Sequence, residues 1–273
     1  MGEFPLVIFT VLSQMAVGAA ITLFLLDYST DRIDNPLGKK ITLMILGMTG
    51  VGLAFSLLHL GHPLEAYRAL TNLGSSWLSR EVVLFSLFAA LLIAYYLQWK
   101  EDNSRRKTIG IAASVTGLLA VFSSGMVYVL PAVPAWNNFS PVVFYLLTAA
   151  VLGPLFIITV LKLQGVTLPS SLIGYSGVIL ASYLLCFILY TSVLLSSGGA
   201  SGVTAGNMLA NNSFVLRIIL TWIIPLGFLV WVIKKSMTDY KYLLTIFMLV
   251  FLGEIIGRYL FYSTAVILKI AAF

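Results

Sequence analysis

Eight runs of mostly apolar residues follow one another along the chain: Pro5–Leu26, Ile41–Leu60, Leu78–Trp99, Thr108–Leu130, Val142–Leu161, Leu172–Leu195, Phe214–Ile233 and Leu243–Leu268. A helix rising 1.5 Å per residue needs about 20 such residues to cross the hydrocarbon layer. The pattern therefore predicts an all-α membrane protein, a bundle of eight transmembrane helices. Charged stretches at Asp31–Gly38, Glu101–Lys107 and Lys234–Lys241 separate some of the runs. Pro131–Pro141 and the Gly/Ser/Asn-rich Ser196–Ser213 are uncharged and read as loops. Between the second and third runs, Leu64, Ala66, Tyr67, Leu70 and Leu73 form an apolar stripe over Glu65, Arg68 and Asn72. That stripe predicts a short amphipathic helix lying in the interface, with Tyr67, Trp77 and Trp136 as interfacial aromatics. No repeat stands out. No stretch is left for a separate soluble domain, so residues 1–273 read as one integral membrane domain.

Composition agrees with that reading. Charged residues make up 10% and hydrophobic residues 60%, whereas a water-exposed surface needs about 25% charge. The net charge of +6 does not signal nucleic acid, because the cations sit in short clusters between apolar runs. The loops after odd-numbered spans hold eleven of the sixteen Lys and Arg, including Arg32, Lys39, Lys40, Arg105, Arg106, Lys234 and Lys241. By the positive-inside rule these loops are cytoplasmic and both termini lie outside. The first run has no basic flank and is too long for a signal core, so it reads as a retained span. The lone Cys186 excludes an internal disulfide and any cysteine-held zinc or iron–sulfur cluster within the chain.

Ionisable groups inside a bilayer are costly and are candidates for function. His59 and His62 lie at the outer end of span two, and Arg80 and Glu81 open span three. Arg217 lies in the first turn of span seven. In span eight Glu254 comes about 21 Å along the helix from Tyr240, past the midplane, with Arg258 one turn further. The inner halves of the helices carry nothing comparable, so one polar pocket or surface in the outer leaflet is expected. Each residue also has a plainer role. Glu81 reads as a first-turn acid after a Ser79 cap, His59 as an interfacial histidine and His62 as a solvated loop residue. Arg217 reads as a snorkelling arginine. Glu254 and Arg258 have the acid-before-base spacing of mutual neutralisation, beside Gly253 and Gly257 that permit close helix packing.

Haem ligation is poorly served by two histidines three residues apart, and no phosphate-binding glycine loop or nucleophile elbow is present. A lipid-soluble quinol fits better. Its hydroxyls need an acceptor and a group that takes protons as electrons leave, and a carboxylate with a nearby imidazole supplies both. His59 and Glu81 stand on adjacent helices at similar depth. With no haem, flavin or metal site of its own, the chain has to pass electrons to a partner protein.

Several segments carry a resemblance to a known family. Phe4 to Val11 with Gln14 and Gly18 looks like the opening helix of the DMSO reductase membrane-anchor subunits (the DmsC family, within the wider polysulfide-reductase-type quinol anchors). Leu58-His59-Leu60-Gly61-His62-Pro63 is similar to the family's histidine motif, and Ser79-Arg80-Glu81 to its acidic motif. Pro134-Ala135-Trp136, Pro141, Gly153-Pro154-Leu155, Leu216-Arg217-Ile218 and Gly253-Glu254-Ile255-Ile256-Gly257-Arg258 with Phe261-Tyr262 extend the likeness nearly end to end. The resemblance implies eight spans, termini outside, and menaquinol as the bound substrate at His59 and Glu81. Gly61, His62, Arg80, Arg217, Glu254 and Arg258 are then pocket or partner-facing candidates. It further implies an iron–sulfur electron-transfer subunit and a molybdopterin catalytic subunit docked on the outer face of a bacterial or archaeal cytoplasmic membrane. The chain departs from the wider family at His62, where a small residue is common, and at Arg80, where an uncharged residue is. Two other functions compete: a secondary transporter or channel, and a structural tether without a quinol site. The first would need polar groups in the inner half and helices broken near the midplane; Pro154 and Pro225 interrupt spans but have no charged neighbour at depth.

Overall fold

The computed structural model describes residues 3–29, 33–59, 72–100, 104–168, 170–235 and 239–268. They form α1 (Phe4–Ser29), α2 (Asn35–His59), α3 (Trp77–Leu97), α4 (Ser104–Val127), α5 (Ser140–Leu163), α6 (Ser170–Ser197), α7 (Gly199–Ala210), α8 (Asn212–Ile218), a π-helical turn (Ile219–Ile223), α9 (Ile224–Lys234) and α10 (Tyr240–Ser263). Eight of the resulting helical stretches are long and apolar enough to span a bilayer, with α8, the π turn and α9 together making the seventh. The eight expected spans are all present, with ends shifted by a few residues; the eighth stops at Ser263, five residues short of Leu268.

Apolarity all round a helix leaves its neighbours to decide what it faces. In α1, 78% of the most apolar stretch is buried inside the protein and in α5 67%, against 28% in α2, α3 and α6; α1 and α5 are the axis, and the outer helices turn their surplus apolar surface outward. One core cluster joins α1 to α2, α3 and α4, around Leu23, Ile41, Phe85 and Phe88. A second joins α5 to α6, α9 and α10, around Leu152, Tyr183, Trp222 and Val250. Glycines let the axis close: a Cβ on Gly18 would lie 1.9 Å from the Ala149 carbonyl oxygen, and one on Gly153 would lie 2.1 Å from the Gly18 carbonyl carbon. Hydroxyls on these helices bond back into their own backbone, as Thr22 does to Gly18 (2.8 Å) and Thr159 to Leu155 (2.7 Å). These two therefore add no unpaired group to the apolar interior.

Two features depart from the sequence reading. Ser196–Ser213 is not a loop: it contains α7, entered through Gly198 and Gly199 at φ of 65° and 51°. Glycine alone adopts that left-handed turn freely. Thr204, Ala205 and Met208 then give α7 a buried face, too short to register as an apolar run. Proline also acts differently at its two sites. α5 runs unbroken through Pro154. Pro225 follows the π turn, where Ile224 N–H bonds to Ile219 O across five residues. The wider turn relieves the clash of the proline ring with the carbonyl four residues earlier. Gly253 is the seat for this bulge, since a Cβ there would lie 2.2 Å from Thr221 Oγ1.

The end of the bundle where α1 begins and α10 finishes is capped. The turns at 128–139, α7 and residues 264–268 are laced by Leu268 N–H to Ala132 O (2.8 Å) and Val266 N–H to Thr204 Oγ1 (3.1 Å). Val7, Val133, Trp136, Leu194 and Tyr262 pack beneath that cap.

Candidate functional site

The buried polar side chains at the capped end fall into two groups with a tyrosine cluster between them. The first centres on α3. The helix starts at Trp77 with Ser76 as its cap, the Ser76 hydroxyl accepting from Ser79 N–H at 3.3 Å. Glu81 is therefore in the second turn, beyond the reach of an N-terminal cap, and its first-turn role is not the one it plays. It is 6% exposed, and its Oε1 accepts a hydrogen bond from Ser124 Oγ on α4. Arg80, one residue earlier, points elsewhere. Its guanidinium donates to the Leu73 and Gly74 carbonyls (2.9 and 2.7 Å) and stacks on Trp77 (4.3 Å), securing the turn that leads into α3. Next to α3, α2 ends at His59. The His59 side chain, Gly61, His62 and the proposed interfacial helix lie outside the described residues.

One turn on from Ser124, just past the end of α4, is Tyr128. Its hydroxyl accepts from Tyr262 at 3.0 Å, and Tyr262 pairs with Tyr145 at 2.9 Å. Trp136 and Phe261, stacked 4.6 Å apart, close this cluster.

The second group lies on α1, α5, α6, α8 and α10. Arg258 is 5% exposed; it donates to Gln14 Oε1 (2.7 Å) and Thr148 Oγ1 (3.2 Å) and lies 3.8 Å over the Tyr145 ring. Glu254 accepts from Thr148 (2.7 Å) and Tyr183 (3.0 Å) through Oε2. The acid and base one turn apart are thus linked through the Thr148 hydroxyl, and no direct ion pair joins them among the described residues. Arg217 does not snorkel. It is 6% exposed, stacked over Phe187 at 4.3 Å, and its one hydrogen bond among the described residues, to the Tyr183 hydroxyl, is long at 3.4 Å. Gly257 makes room for it, since a Cβ there would lie 2.4 Å from Arg217 Nε. Arg217, Glu254 and Arg258 line one cleft; Glu81 is not on its wall. The candidates at the capped end therefore form two neighbouring groups, only one of which lines this cleft. Sequence spacing could not reveal this, because it fixes depth along each helix but not which helices adjoin.

A buried charge also lies at the opposite end of the bundle, just past the first expected span. Asp27, in the last turn of α1, has a side chain 3% exposed and takes both arms of Arg106 (2.8 and 3.0 Å) together with the Tyr95 hydroxyl (2.8 Å). Arg106 also reaches Asn35 (2.9 Å) and lies 4.2 Å over Trp99. The signal is an acid directly after the first apolar run, with its partner 79 residues away. Removing one member of such a pair strands a buried charge, so Asp27→Ala is expected to destabilise the folded protein by about 3 kcal/mol. Reversible denaturation in mixed micelles checks this; an unchanged midpoint would show that the pair contributes nothing. Among the described residues no three His, Cys, Asp or Glu side chains gather as a metal site would require.

Eight apolar spans enclosing buried acids and guanidinium groups define an integral membrane protein with a polar interior. The model of the DMSO reductase anchor subunit family (DmsC) matches residues 1–264, and the chain belongs to that family. It is similar to the anaerobic dimethyl sulfoxide reductase chain YnfH of Escherichia coli, 29% identical over 283 aligned positions that cover 96% of this chain and 94% of that one. It is 34% identical to an anaerobic dimethyl sulfoxide reductase chain of Haemophilus influenzae over 141 residues, half the length of each. A shorter likeness, 37% over 90 residues, joins 32% of the chain to 27% of a sulfite dehydrogenase subunit of Allochromatium vinosum.

Proposed function

We propose that the chain is the membrane anchor of a molybdopterin-dependent respiratory reductase and oxidises menaquinol at Glu81 and His59. The observation that carries this reading is the Glu81 carboxylate. It is buried at the capped end of α3 beside the end of α2, held by Ser124 and without an ion pair among the described residues. A carboxylate in such surroundings accepts a proton from a bound hydroxyl more readily than one tied to a cation. Menaquinol enters from the bilayer with one hydroxyl on Glu81 and the other on the His59 imidazole. As two electrons leave for an iron–sulfur subunit docked on the outer face, its two protons pass to these groups. The names of the relatives support the partnership: they are chains of reductase and dehydrogenase complexes.

The experiment is to purify the complex through a tag on this chain, extract its lipid and analyse it for quinone. Menaquinone recovered in proportion to the chain, with iron–sulfur and molybdopterin subunits present, is the expected result. Partners recovered without quinone would leave a structural tether, and ion flux through liposomes holding the isolated chain would favour a transporter.

A further inference from the structure

The cleft beneath Trp136, between α6, α7, α8 and α10, opens at the protein surface and encloses about 40 Å³. Two of its buried charged side chains carry atoms without partners among the described residues. Glu254 is 2% exposed and its Oε1 accepts nothing; Arg217 is 6% exposed and its Nε donates to nothing. An unpaired ion in an apolar interior is expensive, and here the residue with the free acceptor and the residue with the free donor line the same cleft. The phenol between them already satisfies part of each, donating to Glu254 and accepting from Arg217. The walls are flat and aromatic: Phe187 stacks on Trp222 (5.1 Å), and Phe144, Tyr190 and Phe261 complete them. On the helices that form the cleft, Leu195, Val203 and Leu216 are turned outward at 49%, 54% and 46% exposure, an apolar surface suited to a lipid-soluble molecule.

These features discriminate among ligands. A phosphate or carboxylate headgroup would satisfy Arg217 and be repelled by Glu254. An oxidised quinone offers acceptors only, leaving Glu254 Oε1 as it is. A hydroquinone ring satisfies both, because one hydroxyl donates to the carboxylate while the other, through its oxygen, accepts from the guanidinium. We propose that this cleft is a second binding site, distinct from the one at Glu81, for a hydroquinone headgroup held between Glu254 and Arg217 and stacked on the aromatic walls. The ligand class is the same as that proposed for Glu81, so the test has to separate the two sites.

The purified full chain, in nanodiscs freed of endogenous quinone, is titrated anaerobically with menadiol, a water-soluble naphthohydroquinone. Two molecules per chain are expected. Glu254→Gln should abolish one of them, and Gly257→Ala, whose methyl group displaces Arg217 without altering charge, should weaken the same one at least tenfold. Glu81→Gln should abolish the other. An azido-naphthohydroquinone photolysed on the unaltered protein is expected to label peptides of α6 and α8 as well as of α3, a readout that needs no variant to fold. One molecule per chain, unaffected by Glu254→Gln and labelling only α3 and α4, overturns the second site and leaves the first standing. One molecule lost in Glu254→Gln but kept in Glu81→Gln supports the cleft and overturns the Glu81 site. Protection of the α6 and α8 peptides by an anionic phospholipid, with no menadiol bound there, also overturns the proposal.

Discussion

Replacing Glu81 with Gln is expected to lower menaquinol-driven reduction by the assembled complex at least a hundredfold, the scale on which a positioned proton acceptor contributes. The substitution keeps the shape and the bond from Ser124, because a glutamine side-chain oxygen accepts as a carboxylate does; it removes the capacity to take a proton. Two controls isolate that loss. The partner subunits should copurify with the variant in normal amounts. Turnover with a soluble artificial donor that feeds the catalytic subunit directly should be unchanged, since such electrons never pass through the anchor. Quinol turnover equal to that of the unaltered protein would remove Glu81 from the chemistry. Loss of both activities would mark it as a structural residue for docking. Arg80 provides a contrast one position away. Its guanidinium caps the Leu73 and Gly74 carbonyls, so Arg80→Gln should act through the turn before α3 and cost quinol turnover several-fold at most.

The sequence made the spans legible because a bilayer imposes a length that any apolar run must meet, and it exposed the costly residues because few charges interrupt those runs. The glycines of α10 were read correctly as close-packing positions, with Gly253 admitting the π turn and Gly257 admitting Arg217. What stayed hidden depends on which helices adjoin. Nothing in the spacing of Glu81 and Glu254 says that one faces α4 and the other α5 and α6. Nor does it say that Gln14 of α1 receives Arg258 from 244 residues away. Asp27 was passed over for the same reason: its meaning lies in Arg106, Tyr95 and Asn35, each on a different helix. The helix α7 was missed for a different cause. Glycine, serine and asparagine weaken a helix locally, while the buried face of Thr204, Ala205 and Met208 that holds it becomes visible only once α6 and the cap are in place.

The polar sites depend on how closely α1 meets α5, and a single methyl group tests that contact. Gln14 and Thr148, which hold Arg258 and Glu254, stand on these two helices within a turn or so of Gly18 and Gly153. A Cβ on Gly18 would sit 1.9 Å from the Ala149 carbonyl oxygen and 2.8 Å from its carbon; one on Gly153 would sit 2.4 Å from the Ala19 nitrogen. All of these are backbone atoms, so no rotamer change relieves the overlap and the helices themselves must part. Overpacking a well-filled interior costs about 1–3 kcal/mol when side chains can adjust. Here they cannot, and Gly18→Ala or Gly153→Ala is expected to cost about 3 kcal/mol or more, a large share of a typical stability of about 5–15 kcal/mol. Gly47→Ala is the matched control: nothing lies within 4 Å of its Cβ position, and alanine improves helix propensity there by up to about 1 kcal/mol. Folded chain recovered from membranes should fall several-fold in the first two variants and hold or rise in the third. If either axis variant accumulated and unfolded like the unaltered protein, α1 and α5 would not be in backbone contact, and the geometry bringing Arg258 to Gln14 would go with it.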